Sequence, residues 1–281
     1  MLISVVGFAL MNVVVKLLGD NIPAPELVFF RSVVSLILSL WFIRRKKISP
    51  FGNNKLWLIL RGVFGVIALT TFFYTLQKLP LSTAVVLQYL SPIFTALFAV
   101  WFLGEKVKGY QWLFFLMSFA GIAIIRGFEE TLNTTYLLMG IGSSIFAGLA
   151  YNAIGKLAKS DDPVVIVFYF PLIATPVMAF LGITGIVDWV MPRSDQWILL
   201  LLMGILTQIA QVSMTKAFQS SALSGLAAMK YLGIVFLLSF DYFIFGVTHS
   251  WIALMGMGLV ILGVVLNLFF KPRKKKETAK A

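Results

Sequence analysis

The chain has 281 residues, of which 60% are hydrophobic and only 12% are charged. Its mean hydropathy of +0.95 excludes a water-soluble protein, because soluble domains carry about 25% charged residues. Much of the formal net charge of +12 lies in Arg44–Lys47 and the tail 271–281, which flank apolar runs. This placement favours contact with anionic lipid over nucleic-acid binding. The absence of cysteine excludes disulfides and thiolate metal sites.

The sequence contains ten apolar runs, each long enough to cross a hydrocarbon core of about 30 Å as a helix. It therefore predicts an all-α integral membrane protein, and Met1 leads into the first run without the features of a cleavable signal peptide. The predicted spans are 2–18, 26–43, 56–77, 82–103, 110–126, 136–157, 164–184, 196–218, 222–245 and 250–270.

The loops between these spans alternate in charge. The second, fourth and sixth loops and the tail are basic, whereas the first, fifth and seventh loops are acidic or mixed. Since basic loops remain on the cytoplasmic side of a membrane, both termini are predicted to be cytoplasmic.

One stretch of the chain occurs twice. Leu79–Glu105 recurs as Ser221–Val247, at an offset of about 142 residues that pairs Tyr89 with Tyr231. The repeat extends to further pairs at offsets of about 140 to 142, including Asn12 with Asn152, Lys16 with Lys156, Phe30 with Phe170 and Gly121 with Gly263. Each predicted unit, 1–130 and 131–270, then holds five spans, and an odd number inverts the second unit. Two inverted five-helix repeats are typical of alternating-access carriers.

Several of these segments resemble a known family. NVVVKLL in span one, PELVFFRS at the start of span two, LRGVFGVIALTTFFYTLQKLPLSTAVVLQYLSPIFTALFAVWFLGEKV in spans three and four, and QVSMTKAF and MKYLGIVF in the second half are similar to EamA-type members of the drug/metabolite transporter superfamily. The resemblance implies ten spans, cytoplasmic termini, a central cavity between the halves, a bacterial inner membrane and movement of amino acids, metabolites or drugs, usually outward. Val247 stands where such proteins commonly carry a second glutamate, so any role of that acid exists only at Glu105.

Polar residues inside the spans are the candidate binding residues, because they are costly in lipid. Lys230 corresponds to Gln88 in the repeat, and each precedes a shared tyrosine, Tyr231 or Tyr89. A cavity lined by these four residues would suit a substrate with a carboxylate or an aromatic face. The alternative is a structural network in which Lys230 bonds a carbonyl or a glutamine and the tyrosines fill the seam between helices.

Four amides are further candidates for substrate binding: Asn12, Asn152, Gln208 and Gln211. Lys16, one turn after Asn12, is expected to snorkel to the interface. Arg31 and Arg61 lie near helix starts at opposite membrane sides, and the resemblance makes them gate or packing residues with unidentified partners.

Three residues of spans four and nine are candidates for ion coupling and for a hinge between helix segments. Asp241 is a candidate for ion coupling, although it lies close enough to the span's end to reach the interface or form a salt bridge instead. Pro92 removes a backbone donor and predicts a kink, which with Gly233 would form a hinge or a static bend. His249 follows in a short loop and is expected to be solvated.

The sequence as a whole favours a secondary transporter, and an exporter in particular, for a small organic metabolite such as an amino acid or drug-like solute. A lipid-linked sugar flippase and a non-transporting membrane scaffold remain as alternatives. No catalytic constellation, metal site or cofactor motif is found, so an enzyme is not expected. The expected partners are the small-molecule substrate and the lipid bilayer, with a homodimer left open and no nucleic acid.

Overall fold

The computed structural model describes residues 2–19, 21–103, 108–128, 133–158, 160–220, 233–234 and 236–270. Over these ranges the chain is helical and contains no strand. The helices are α1 Leu2–Leu18, α2 Ala24–Lys46, α3 Lys55–Lys78, α4 Leu81–Gln88, α5 Ser91–Leu103, α6 Gly109–Phe128, α7 Thr134–Leu157, α8 Pro163–Ile183, α9 Ser194–Ser220 and α10 Trp251–Phe269. Residues 236–243 are also helical.

These helices follow the apolar runs of the sequence. Their ends lie within about three residues of the predicted spans, except that the fourth span is divided into α4 and α5 and the ninth is only partly described. Six segments are long and apolar enough to cross a membrane, and three shorter apolar helices accompany them within the described ranges. Helices satisfy their own backbone hydrogen bonds in lipid, so this protein is a multi-pass helical membrane protein.

The principal helix contacts join the first part of the chain to the second. The helix α3 packs on α7, α6 on α10, α2 on α8 and α1 on α9, with further contacts of α2 with α9 and of α3 with α8. Glycine permits the close approach of α3 and α8, since a Cβ at Gly62 would lie 2.8 Å from the carbonyl oxygen of Tyr169. The two parts of the chain therefore share one interior.

Polar contacts tie the loops together at each end of the bundle. At the end that we call the basic end, formed by residues 47–54 and 160–162, Lys46 Nζ lies 3.0 Å from the Asp162 carboxylate. At the opposite end, formed by residues 21–23, 79–80, 184–193 and 246–250, Gln77 Nε2 donates to the Ile22 carbonyl at 2.9 Å. Polar side chains thus hold each end of the bundle together, and the predicted topology stays a prediction.

Lys16 belongs to the opposite end. Its ammonium group donates to the carbonyl oxygens of Leu79 at 2.6 Å and Leu76 at 3.3 Å. The side chain holds α1 against the turn between α3 and α4, and its snorkelling to the interface stays a prediction.

Candidate functional site

A cavity of about 180 Å³ lies between the two parts of the chain. Its walls come from α1 to α5, from α7 to α9 and from residues 233 and 237. In α1, α3 and α7 the lining residues run from Ser4 to Asn12, from Arg61 to Phe72 and from Ala147 to Ile154, which are the middle and basic-end portions of these helices. The lining residues of α2 and α4, which are Arg31, Val85 and Gln88, lie instead in the halves of their spans nearer the opposite end, so the cavity occupies the middle of the bundle.

Six of the residues predicted from the sequence meet at this cavity: Asn12, Gln88, Tyr89, Pro92, Gln211 and Gly233. Gln88 Oε1 lies 2.8 Å from the hydroxyl of Ser143. The oxygens of Asn12 and Gln211 have no hydrogen-bond partner among the described residues. The wall is mostly apolar and presents a few polar groups, as small-molecule sites usually do.

The fourth predicted span is interrupted beside the cavity. The helix α4 ends at Gln88 and α5 begins at Ser91, so that Pro92 is the second residue of α5. Across the interruption Leu90 N bonds the Leu87 carbonyl at 3.1 Å, a contact three residues back, and proline has no N–H to offer the Gln88 carbonyl. Tyr89 lies in this break, and a Cβ on Gly233 would come within 2.9 Å of its hydroxyl. The kink is present in the structure, and its use as a hinge stays a prediction.

Two of the predicted amides lie elsewhere. Asn152 Nδ2 donates to the carbonyl of Thr95 at 3.0 Å and so joins α7 to α5. Gln208 accepts from the Ser35 hydroxyl and donates to Ser39 Oγ at 2.9 Å, which joins α9 to α2. The structure places both side chains between helices and outside the cavity lining.

The pair of Lys230 and Tyr231 lies outside the described residues, as does the tail 271–281. Their assignment to the substrate site stays a prediction.

Asp241 lies at the opposite end, outside the cavity lining. It is 0% exposed, and its two carboxylate oxygens accept the N–H groups of Leu81 at 2.9 Å and Ser82 at 2.8 Å. These are the first residues of α4, where unpaired N–H groups and the helix dipole stabilise a negative charge. Its ion-coupling role stays a prediction, and the geometry gives it a structural one.

His249 completes this cluster. Its Nε2 lies 3.2 Å from the Asp241 carboxylate and 2.9 Å from Ser82 Oγ, and its side chain is only 4% exposed. The expectation of a solvated histidine was wrong, because loop 246–250 folds back over the start of α4. No group of three or more metal-ligating side chains occurs in the described part of the chain.

Two arginines to which the sequence assigned no partner face the cavity. Arg31 in α2 is 1% exposed and Arg61 in α3 is 4% exposed. Their guanidinium carbons lie 5.1 Å and 5.6 Å from the ring centroid of Phe170 in α8, within the range of cation–π contacts. Arg31 Nε also donates to Thr207 Oγ1 at 2.8 Å. The structure thus gathers two positive charges around one aromatic ring.

Neither arginine forms an ion pair with an Asp or Glu of the described ranges. In the same ranges Arg31 Nη1 and Arg61 Nε have no hydrogen-bond partner. Gly65 leaves room for the arrangement, since a Cβ there would come within 2.6 Å of Arg61 Nη1 and 2.8 Å of Phe170. A signal for this site existed in the sequence: two arginines lie within apolar spans and have no acid three or four residues away.

Comparison with known proteins fits this architecture. The profile of the EamA-like transporter family matches residues 1–127 and, separately, residues 134–269. The chain belongs to the EamA-like transporter family. The resemblance seen in the sequence motifs is thereby confirmed.

Similar proteins in this family carry small solutes. The pseudopaline exporter of Pseudomonas aeruginosa is 33% identical over 231 residues, which cover 82% of this chain and 80% of that protein. The S-adenosylmethionine uptake transporter of Rickettsia bellii is 26% identical over 280 residues, covering 97% of this chain and 93% of that one. A solved crystal structure with 17% identity has a TM-score of 0.64 over 96% of this chain and 97% of its own, which shows the shared fold alone. The family and these relatives are transporters rather than enzymes.

Proposed function

We propose that this protein is a secondary transporter that exports a small organic metabolite by alternating access. The observation that carries the proposal is the cavity, which lies between the two segments matched separately by the family profile. Carriers built from two repeats bind substrate at the repeat interface, often beside an interrupted helix. Here the break at Tyr89 and Leu90 borders the cavity in the same way.

Two inverted five-helix repeats are part of this proposal, and the helix packing supports them. Exchanging the segments 1–130 and 131–270 converts the contact of α1 with α9 into that of α7 with α3, and the contact of α2 with α9 into that of α8 with α3. The pairs α2 with α8 and α6 with α10 exchange into themselves. This correspondence is expected of a pseudo-two-fold axis in the membrane plane.

The outward direction is proposed from the contacts at the opposite end and from a similar protein. The loop charges assign the basic end to the cytoplasm of a bacterial inner-membrane protein. At the opposite end, the contacts of Asp241, His249 and Lys16 join α1, α4 and the residues around 241–249. A carrier in this state would receive its substrate from the cytoplasm, and the 33% identical relative is likewise an exporter.

A cross-linking experiment tests alternating access directly, because the protein has no native cysteine. The double variant Ser82→Cys with His249→Cys places two thiols across the opposite end, where the native side chains are 2.9 Å apart. Purified protein is reconstituted into liposomes, and counterflow of labelled amino acids and other small metabolites is measured. A short bifunctional thiol reagent is expected to stop saturable flux in the double variant and leave flux in each treated single variant unchanged.

Two results would contradict the proposal. One is continued flux in fully cross-linked protein, which would mean that the opposite end need not open. The other is the absence of flux for every solute tested in protein that unfolds cooperatively on heating and is therefore folded.

A further inference from the structure

We propose that the substrate is an organic anion, and that Arg31 and Arg61 hold its carboxylate or phosphate group beside Phe170. This inference rests on the proposed transport function and specifies its substrate class. Neither the family assignment nor the names of the relatives carry it, since it follows from charge and geometry in the cavity.

The first step is the charge of the cavity. Among the described lining residues, the charged side chains are Arg31 and Arg61, and no acid is present. The two acids buried in the described helices are engaged elsewhere, Glu26 with the Val190 N–H at 2.9 Å and Asp241 with the start of α4. Two positive charges in a low-dielectric interior are therefore left without a counterion from the described chain, and a bound anion would supply it.

The second step is the geometry of the two guanidinium groups. A guanidinium presents five N–H donors in a planar fork that matches the oxygens of a carboxylate or phosphate. Arg31 uses Nε on Thr207 and keeps Nη1 without a partner, while Arg61 keeps Nε without one. Both groups line the cavity and pack on Phe170, so an oxyanion bound beside that ring lies within reach of two guanidinium groups.

The remaining polar groups of the cavity do not select for charge. The side-chain amides of Asn12 and Gln211 line it with oxygens that have no partner among the described residues. Rotation of an amide by half a turn exchanges its acceptor for its donors, so these two groups suit neutral and charged solutes alike. The apolar walls, which include Phe8, Leu69 and Phe72, suit the hydrocarbon or aromatic body of the anion.

The thermal stability of the protein without ligand distinguishes anion binding by the two arginines from a purely structural role. If the arginines served packing alone, loss of one charge would leave its contacts unmade and destabilise the protein. If they serve an anion, the empty protein bears the cost of two uncompensated charges, and a neutral polar replacement of one arginine relieves part of it. Arg61→Gln is the better variant, since no hydrogen bond of Arg61 to a described residue would be lost.

The experiment uses the full-length purified protein in detergent and records its thermal unfolding midpoint against ligand concentration. The probes are phenylacetate, succinate and phenyl phosphate, with phenylacetamide and succinamide as neutral counterparts of the carboxylates. We expect at least one anion to raise the midpoint saturably and its neutral counterpart to leave it unchanged. Stabilisation by the carboxylates or by the phosphate identifies the oxyanion that the site accepts.

Three arginine variants test whether the stabilisation by anions arises at Arg61. Arg61→Gln is expected to raise the apparent Kd of the stabilising anion about ten- to hundredfold and to unfold without ligand at the wild-type temperature or above. Arg61→Lys keeps the positive charge and loses the planar set of guanidinium donors. Its Kd for the anion should therefore lie between those of the wild type and Arg61→Gln. Arg44→Gln removes a charge from an exposed position near the basic end and should bind the anion as wild type does.

Three results would overturn the inference: no stabilisation by any anion, equal stabilisation by the neutral counterparts, or wild-type anion affinity in Arg61→Gln. Flux in proteoliposomes keeps the two proposals distinguishable. Transport of neutral or cationic solutes alone would leave the transport function standing and refute the anion site. Anion binding without flux of any solute would support the anion site and refute the transport function.

Discussion

At the residue scale, two glutamines within one turn of α9 have different surroundings. Gln208 lies at a helix–helix contact, and Gln211 lies at the proposed solute site. The Gln208 side chain bonds Ser35 and Ser39 of α2, whereas Gln211 faces the cavity. We expect Gln208→Leu to lower the thermal unfolding midpoint, because two hydrogen bonds worth about 1–2 kcal/mol together are lost, and to leave the KM of flux unchanged. Gln211→Leu should raise the KM and keep the midpoint. Midpoint and KM are measured on the same preparations, and a raised KM in Gln208→Leu alone would contradict this assignment.

The sequence named both glutamines as binding residues for an understandable reason. Residues three apart on a helix lie near one face, so their spacing does not say which one faces a cavity and which one faces a neighbouring helix. That choice depends on the serines of α2, which are more than 160 residues away in the chain.

At the scale of elements, Asp241 fixes the start of α4 from another part of the chain. Asp241→Asn replaces one acceptor oxygen by an amide nitrogen, so one N–H of Leu81 or Ser82 loses its partner and the charge next to His249 disappears. The expected loss of stability is about 2 kcal/mol, measured as a lower thermal unfolding midpoint in detergent. The control is Asp188→Asn in the exposed loop 184–193, which should unfold as wild type does. Equal midpoints for the two variants would show that Asp241 does not stabilise the closed opposite end.

The elements were more predictable than their contacts. Apolar length alone predicted the helices, since a bilayer requires each span to be long and to satisfy its own backbone. Pro92 predicted a kink in the fourth span, where the structure has a break between α4 and α5, because the effect of proline is local. The partners of Asp241 are two backbone N–H groups and a histidine in a loop. Backbone N–H groups occur at almost every residue, so the sequence does not indicate which of them bind the carboxylate.

At the scale of the whole molecule, the two arginines of the cavity contact one aromatic ring from the second part of the chain. The helices α2 and α3 begin at opposite ends, so Arg31 and Arg61, each within the first turns of its helix, would seem far apart in a reading of the sequence. Both long side chains reach Phe170, because α8 of the second part of the chain packs against α2 and α3. The sequence identifies both arginines as candidates, but it does not show that their side chains contact Phe170.

The direction proposed for transport depends on which end of the molecule faces the cytoplasm, and labelling of single cysteines decides this. Phe51→Cys lies in the loop 47–54 of the basic end, next to Arg44–Lys47, and Asp188→Cys lies at the opposite end. Both positions are exposed, so a thiol at either one is reachable from its own side of the membrane. A membrane-impermeant maleimide applied to intact cells should label Asp188→Cys and should label Phe51→Cys only after permeabilisation, because positive charge holds the basic end inside. The reverse pattern would put the basic end on the external side and turn the proposed exporter into a candidate for uptake, while leaving the anion site where it is.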